Sequence, residues 1–154
     1  MRNMTTTALL GVVILLVGAI KIPSPVAGGE FQVSAPLAVL ICAYFGFKRY
    51  FLAGVLASVL GMILGTANIF NVMIAMVFRV IAGAAVECSG KYLLPLMLCG
   101  PLGTLASRLV MAQVMGVDWR ILAVAAVPGM VFTVVAVGMG YKPGMQLLKK
   151  YRII

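Results

Sequence analysis

The sequence predicts an all-α integral membrane protein, a bundle of about six transmembrane helices. Its 154 residues are 64% hydrophobic and only 10% charged, whereas a soluble globular domain usually carries about 25% charged residues. So few charges cannot cover a surface that faces water. The apolar residues also form long continuous runs, which indicate helices, because barrel strands alternate polar and apolar side chains. The length suits one unit, and we expect a single transmembrane domain over residues 1–154.

Six apolar segments account for the predicted helix count. They cover residues 7–22, 34–47, 50–66, 69–87, 92–115 and 120–141. The first resembles a cleaved signal peptide in isolation, but the apolar segments that follow favour a retained helix. A membrane span needs about 20 apolar residues, with about 17 near the minimum, so the first two segments are short. Because the junction Phe47-Lys48-Arg49-Tyr50 is also tight, five helices with one long hairpin remain an alternative.

The connections between these segments carry turn and capping residues. The connection from Lys21 to Val33 is rich in proline and glycine and is the only one long enough to act as a lid. Ser34 follows it and stands before a proline in the first turn of the second helix. Asn68 can cap the fourth helix and Asp118 the sixth.

The third helix carries small residues at a regular spacing. Ala53, Ala57, Gly61 and Gly65 recur every four residues, and shorter pairs are Gly103 with Ser107 and Ala125 with Gly129. Small residues at this spacing let helix backbones approach closely in lipid, where hydrophobicity alone does not drive association. We expect these stripes to pack inside the bundle, with an interface to another subunit as the alternative.

The basic residues predict the orientation of the bundle. With a cytoplasmic N-terminus and six spans, eight fall inside: Arg2, Lys48, Arg49, Lys91, Lys142, Lys149, Lys150 and Arg152. Lys21 and Arg120 fall outside, and Arg79 and Arg108 lie within the membrane. This asymmetry follows the positive-inside rule and places both termini in the cytoplasm. It also explains the net charge of +9 without a nucleic-acid partner.

Two intramembrane arginines are the main candidates for a binding site. Arg79 lies roughly 15 Å and Arg108 roughly 11 Å from the outer ends of their helices, at 1.5 Å per residue. A charge at the bilayer centre costs at least about 2.5–3.5 kcal/mol, so such residues usually face inward and are functional. No acidic residue is placed deep in the membrane to neutralise them, although Glu30 on the outer loop and Asp118 could reach in. We therefore expect a shared cavity for a carboxylate or phosphate ligand; alternatively, each arginine bonds helix carbonyls or reaches an interface.

Weaker candidates lie near the outer face, at the expected mouth of such a cavity. They are Glu30, Gln32, Asn68, Asn71, Gln113 and Trp119. Polar residues at helix ends are also common as interfacial residues, and a lone tryptophan there is usually a membrane anchor.

Catalysis finds little support in the sequence. It contains no histidine, no paired carboxylates, no metal-spaced cluster and no P-loop. Cys42, Cys88 and Cys99 have no paired spacing and are interpreted as small apolar packing residues. We therefore expect no catalytic residue, no metal and no cofactor. Since nucleotide motifs are also missing, an active transporter with this chain would need an ATPase partner.

The region from Pro23 to Glu87 carries a family resemblance. The outer loop PSPVAGGEFQVS leads into APLAVLICAYFGFKRYFLAGVLASVLGMILG, with a Gly-Phe-Lys-Arg turn between two helices, and FRVIAGAAVE follows. Together with the size and the six-helix layout, these segments resemble the substrate-binding subunit (S-component) of energy-coupling factor (ECF) vitamin transporters.

The resemblance implies a function and a set of partners. S-components bind a vitamin or related micronutrient near the outer face under the first loop, associate with a transmembrane coupling protein and two cytoplasmic ATPases, and topple to release substrate inside. The matching lid would be Val26 to Val33, and the pocket would draw on Asn68, Asn71, Arg79 and Arg108. The resemblance implies a multi-pass protein of a prokaryotic cell membrane. The two arginines favour an anionic micronutrient, and the 8% aromatic content argues against a large stacked ring system.

One feature departs from the family pattern. Many S-components dock through an Ala-x-x-x-Ala face on the first helix, whereas here Ala8 is followed four residues later by Val12. The nearest pair of small residues is Thr7 with Gly11.

Two other classes of membrane protein remain as alternatives. A structural scaffold of the MreD-like cell-shape type has a similar helix count, but it needs neither buried arginines nor a proline-glycine lid. A self-sufficient channel or secondary carrier usually shows internal repeats or interrupted helices in matching halves, and the sequence shows no convincing repeat.

Overall fold

Six helices and one short hairpin make up the described part of the chain. The structure, a computed structural model, describes residues 2–23, 30–32, 34–90 and 92–150, with side chains described from residue 4 except at 21–23 and 30–32. The elements are α1 (Arg2–Ala19), β1 (Lys21–Pro23), β2 (Glu30–Gln32), α2 (Ser34–Phe45), α3 (Phe47–Ile63), α4 (Ile69–Cys88), α5 (Leu93–Met115) and α6 (Trp119–Lys150). The predicted count of six helices rather than five is confirmed for the described residues, whereas the spanning of a membrane by all six stays a prediction.

The all-α prediction missed the short hairpin. β1 pairs antiparallel with β2, so that Lys21 lies opposite Gln32 and Pro23 lies opposite Glu30. β2 also contacts α6. The predicted lid from Val26 to Val33 is described only over residues 30–32, and the rest of it lies outside the described residues. We call the end of the bundle that carries this pairing the hairpin end.

The connection between α2 and α3 is shorter than the sequence indicated. Gly46 alone separates the two helices, with a φ of 83° that glycine adopts at little cost. Lys48 and Arg49, which we placed in the turn, instead lie in the first turn of α3. The tight reversal is possible because glycine changes the chain direction within one residue, and Lys48 still keeps an exposed side chain.

The predicted caps of α4 and α6 are confirmed. The side chain of Asn68 accepts a hydrogen bond from the backbone N–H of Asn71 at 2.8 Å. The carboxylate of Asp118 accepts one from the backbone N–H of Arg120 at 2.9 Å. Both bonds satisfy N–H groups that have no partner inside the helix.

The small-residue stripe of α3 packs against α1, as predicted for internal packing. Ala53, Ala57 and Gly61 are buried, and α1 and α3 are close neighbours. On α1, a Cβ built at Gly11 would lie 3.2 Å from the carbonyl oxygen of Ala53. Gly65 does not join this contact, because it lies beyond the end of α3 with a φ of 69°. Gly11, the small residue nearest to a docking motif, therefore faces the interior.

The two shorter pairs of small residues have different uses. Gly103 allows α5 to approach α4, since a Cβ built there would lie 2.8 Å from the Cβ of Ala82. Ala125 and Gly129 instead line a cavity, and a Cβ at Gly129 would meet no atom within 4 Å. The second pair therefore leaves space for a cavity rather than for a neighbouring helix.

α6 continues to Lys150, well beyond its predicted end at residue 141. The phenol of Tyr44, near the end of α2, donates to the backbone carbonyls of Gly140 at 3.0 Å and Tyr141 at 3.1 Å. The rings of Tyr44 and Tyr141 are also stacked, with centroids 6.0 Å apart. These contacts fix α6 to α2 at the end of the bundle away from the hairpin.

Replacing Tyr44 with phenylalanine is expected to loosen this attachment while leaving the ring stack. The loss of a neutral hydrogen bond should lower the free energy of unfolding by about 0.5–1.5 kcal/mol. Thermal unfolding of the purified protein measures the effect. Tyr92→Phe is the matched control, because Tyr92 is 75% exposed; an equal Tm for both variants would contradict the proposed role of Tyr44.

The surface of the bundle is apolar. On α5, Leu94, Leu98, Leu102 and Leu109 are between 46% and 77% exposed and follow a helical spacing. By length and hydropathy, α4, α5 and α6 are each able to cross a membrane, and α1 and α2 are shorter apolar helices. Cys42 and Cys99 are buried as predicted, but Cys88 is exposed, and all three are free thiols.

Candidate functional site

A cavity lies between the helices, and both predicted arginines line it. This central cavity comprises about 840 Å³ of atom-free space, a volume that includes open solvent at its mouth. Arg79 projects from α4 and Arg108 from α5. The hydroxyl residues on its wall are Ser34, Thr104, Ser107 and Thr133, and the apolar residues include Ile74, Phe78 and Ala126. Both arginines therefore line one cavity, as their depths predicted, and their binding of a ligand stays a prediction.

Three residues of α3 form a cradle for the Arg79 side chain. Tyr50, Gly54 and Ser58 are four residues apart and therefore share one face of the helix. Nη1 of Arg79 donates to the hydroxyl of Ser58 at 2.7 Å, and the guanidinium also interacts with the phenol of Tyr50. A Cβ at Gly54 would lie 2.6 Å from Cδ and 2.9 Å from Cζ of Arg79. Arg79 thus occupies the space that the missing side chain of Gly54 provides.

The charge of Arg79 is buried among neutral groups. Its side chain is only 7% exposed. Among the described side chains, its partners are Ser58, Tyr50 and the thioether of Met76 at 3.7 Å, none of which carries a negative charge. Burial of a charge is costly unless an opposite charge accompanies it. An anion in the central cavity would supply that charge, since a guanidinium binds carboxylates through paired N–H donors.

Hydroxyl groups of α5 and α6 also present oxygen atoms to the central cavity. Thr104 donates to the carbonyl of Gly100 at 3.0 Å, Ser107 to that of Thr104 at 2.9 Å and Thr133 to that of Gly129 at 2.8 Å. Each hydroxyl proton is therefore used within its own helix, whereas a hydroxyl oxygen has two acceptor lone pairs. The cavity can thus offer cationic donors from its arginines and neutral acceptors from its hydroxyls.

A second cavity, the side cavity, lies between α1, α3 and the start of α4. It comprises about 670 Å³ of atom-free space, counted to its open side. Asn71 lines this cavity and not the central one. Arg79 lines both.

The weaker candidates have other positions. Asn68 caps α4 and is exposed. Trp119 begins α6 and is 49% exposed, with the guanidinium carbon of Arg120 5.8 Å from its ring centroid; Gln113 is exposed near the end of α5. None of the three lines either cavity. Glu30 and Gln32 belong to β2, but their side chains lie outside the described residues.

Sequence reasoning missed the residues that hold Arg79 in place. Tyr50, Gly54 and Ser58 resemble ordinary helix positions in the sequence. Gly54 lies next to the stripe of Ala53, Ala57 and Gly61 and could equally serve helix packing. A signal was present, since a glycine flanked four residues away on each side by hydroxyl residues is suited to receive a polar side chain from a neighbouring helix.

The fold and the two cavities define a class of protein, a six-helix bundle whose central cavity is lined by two arginines. Over 135 residues, the chain is 44% identical to Protein BioX of Lysinibacillus sphaericus, an alignment that covers 88% of this chain and 81% of that protein. The chain belongs to the BioX family. No family model matches the sequence. No solved structure matches it significantly either.

Proposed function

We propose that this protein is the substrate-binding membrane subunit of an ECF-type importer and that it captures an anionic micronutrient, biotin or a carboxylated biotin-related compound. The observation that carries this proposal is Arg79, a buried cation on the wall of the central cavity, which Arg108 also lines. The partners of Arg79 among the described side chains are neutral. In this proposal the central cavity serves binding, because the polar groups among its described lining residues are arginines and hydroxyls, which suit the recognition of an anion.

The chemistry of biotin matches the two kinds of polar group in the central cavity. Its carboxylate suits the guanidinium of Arg79, and the two N–H groups of its ureido ring suit the hydroxyl oxygens of Thr104 and Thr133. The name BioX of the relative also points to biotin. The apolar wall would accommodate the aliphatic chain and the thioether-containing ring.

The exposed surface supports a membrane location. Leucines project outward along α5, and α4, α5 and α6 have the length and hydropathy of spans. In this proposal the hairpin end faces outward and both termini are cytoplasmic, as the distribution of basic residues favours. Substrate would then be captured from the outer face of a prokaryotic cell membrane.

The proposed partners follow from the need for energy. The sequence contains no nucleotide-binding motif, so uptake against a gradient would depend on a coupling protein and two cytoplasmic ATPases. On α1, Leu9, Val12 and Leu16 form an exposed apolar face, which in this proposal is available to the coupling protein because Gly11 already packs on α3.

The test is mass spectrometry of small molecules that co-purify with the detergent-solubilised protein. We expect a carboxylated micronutrient with the wild type and its loss from Arg79→Ala. Thermal unfolding in the presence of a panel of vitamins, biotin included, is the second measurement, because a ligand that binds only the folded state raises the Tm. If nothing co-purifies and no vitamin raises the Tm, the scaffold alternative is favoured instead.

A further inference from the structure

The side cavity connects the centre of the protein to its surface. Its lining includes Gly18, Ala19 and Thr66, all of which are exposed. By contrast, every described residue that lines the central cavity is buried or half-buried. Of the two cavities, the side cavity is therefore the one whose described wall reaches the outside of the bundle.

The two cavities meet at Arg79. Both are lined by Ile14, Ser34, Ala75 and Arg79. Arg79 is therefore within reach of an anion in either cavity. A guanidinium has five N–H donors, and the described hydrogen bonds of Arg79 to Ser58 and Met76 both use Nη1, so donors remain for a carboxylate.

The lining of the side cavity suits passage rather than tight binding. Its walls carry small residues, Ala57, Gly61 and Ala67, and the short polar side chains of Ser58, Thr66 and Asn71. Small side chains leave a path wide, and short polar groups form weak contacts with an anion without trapping it. Among the described residues of the hairpin, β2 contacts α6, a helix that lines the central cavity and not the side cavity.

We propose that the side cavity is the access path to the central cavity, and that Arg79 is the point at which an anionic ligand passes from one to the other. This inference rests on the proposed function, because it presumes that the central cavity binds a carboxylate. The anion would travel between the end of α1 and the start of α4, meet the guanidinium of Arg79, and move on toward Arg108. A path differs from a binding site in its kinetics: narrowing it slows binding and release equally and leaves the Kd unchanged.

The test places a removable obstacle at the mouth of the path in the folded protein. Thr66→Cys introduces a thiol at an exposed position, in a Cys88→Ala background that removes the exposed native thiol. A bulky neutral thiol reagent is then attached, so that folding precedes the obstruction. Association and dissociation of tritiated biotin are measured before and after modification. Ile121→Cys is the matched control, since Ile121 is 64% exposed near the start of α6 and lines neither cavity.

The modified Thr66→Cys protein is expected to bind and release biotin at least about tenfold more slowly, with a Kd within about twofold of the unmodified protein. The modified Ile121→Cys protein should keep both rates. Unchanged rates in modified Thr66→Cys would overturn the access path. Faster release with a weaker Kd would also overturn it, because the side cavity would then be part of the binding site. Failure of the unmodified proteins to bind biotin or any co-purified carboxylate would instead contradict the proposed function itself.

Discussion

Replacing Arg79 with methionine is expected to lower the affinity for a carboxylated ligand by about 30- to 4,000-fold. Truncating one partner of a buried, hydrogen-bonded charge pair costs about 2–5 kcal/mol, and each 1.4 kcal/mol corresponds to about tenfold in Kd. Methionine keeps the length and apolar bulk of the arginine stem but cannot pair with a carboxylate. Equilibrium binding of tritiated biotin to the purified protein measures the effect.

The ligand-free stability of Arg79→Met separates lost binding from lost folding. Because Arg79 is a buried charge whose partners among the described side chains are neutral, its removal also removes a desolvation cost. The Tm of the variant without ligand should therefore match or exceed that of the wild type. Arg79→Lys should retain part of the affinity, since lysine keeps the charge without the paired N–H geometry. A variant that binds biotin normally would contradict the assignment of Arg79.

Replacing Gly54 with alanine is expected to weaken binding although Gly54 touches no ligand. The new methyl group would occupy the position of the Arg79 side chain, which would have to leave Ser58 and Tyr50. We expect a loss of about tenfold or more, which corresponds to one hydrogen bond to a charged group at about 1.5–3 kcal/mol. The same binding measurement detects it.

Two controls show whether Gly54 acts through Arg79. Gly138→Ala makes the same substitution on α6, where the nearest neighbour is the flexible end of Met97, and it should bind normally. The double variant Gly54→Ala with Arg79→Met should bind no more weakly than Arg79→Met alone, because a residue that only positions Arg79 has no effect without it. Additive losses in the double variant would mean that Gly54 acts on the ligand by another route.

The helices and the two arginines were predictable from the sequence because each leaves a local signal. Long apolar runs define α4 to α6, and Asn68 and Asp118 mark helix starts through the short reach of their side chains. Because a charged side chain is costly to expose to lipid, a charge within an apolar run is expected to face the inside of the bundle. For Arg79 and Arg108, this energetic rule also predicted the shared cavity, because both lie near the same depth from the same end.

The cradle and the side cavity were not predictable in the same way. Whether Gly54 faces a neighbouring backbone or the side chain of Arg79 depends on the rotation of α3 about its axis. The hydroxyl residues four positions to either side of Gly54 are compatible with the cradle but do not fix that rotation. The same holds for Ala125 and Gly129, which form a pattern typical of helix contacts but line a cavity. The hairpin of β1 and β2 was missed because three-residue strands next to prolines and glycines have the composition of a loop.

The most direct test of the account compares biotin with its neutral methyl ester on wild-type protein and on Arg79→Met. If the carboxylate binds to Arg79, the wild type should prefer the acid by at least about tenfold, while Arg79→Met should bind both compounds with similar, weak affinity. The coupling between the charge of the ligand and the arginine would then be measured directly. An equal preference for the acid in both proteins would show that the carboxylate binds elsewhere, and the account would be wrong.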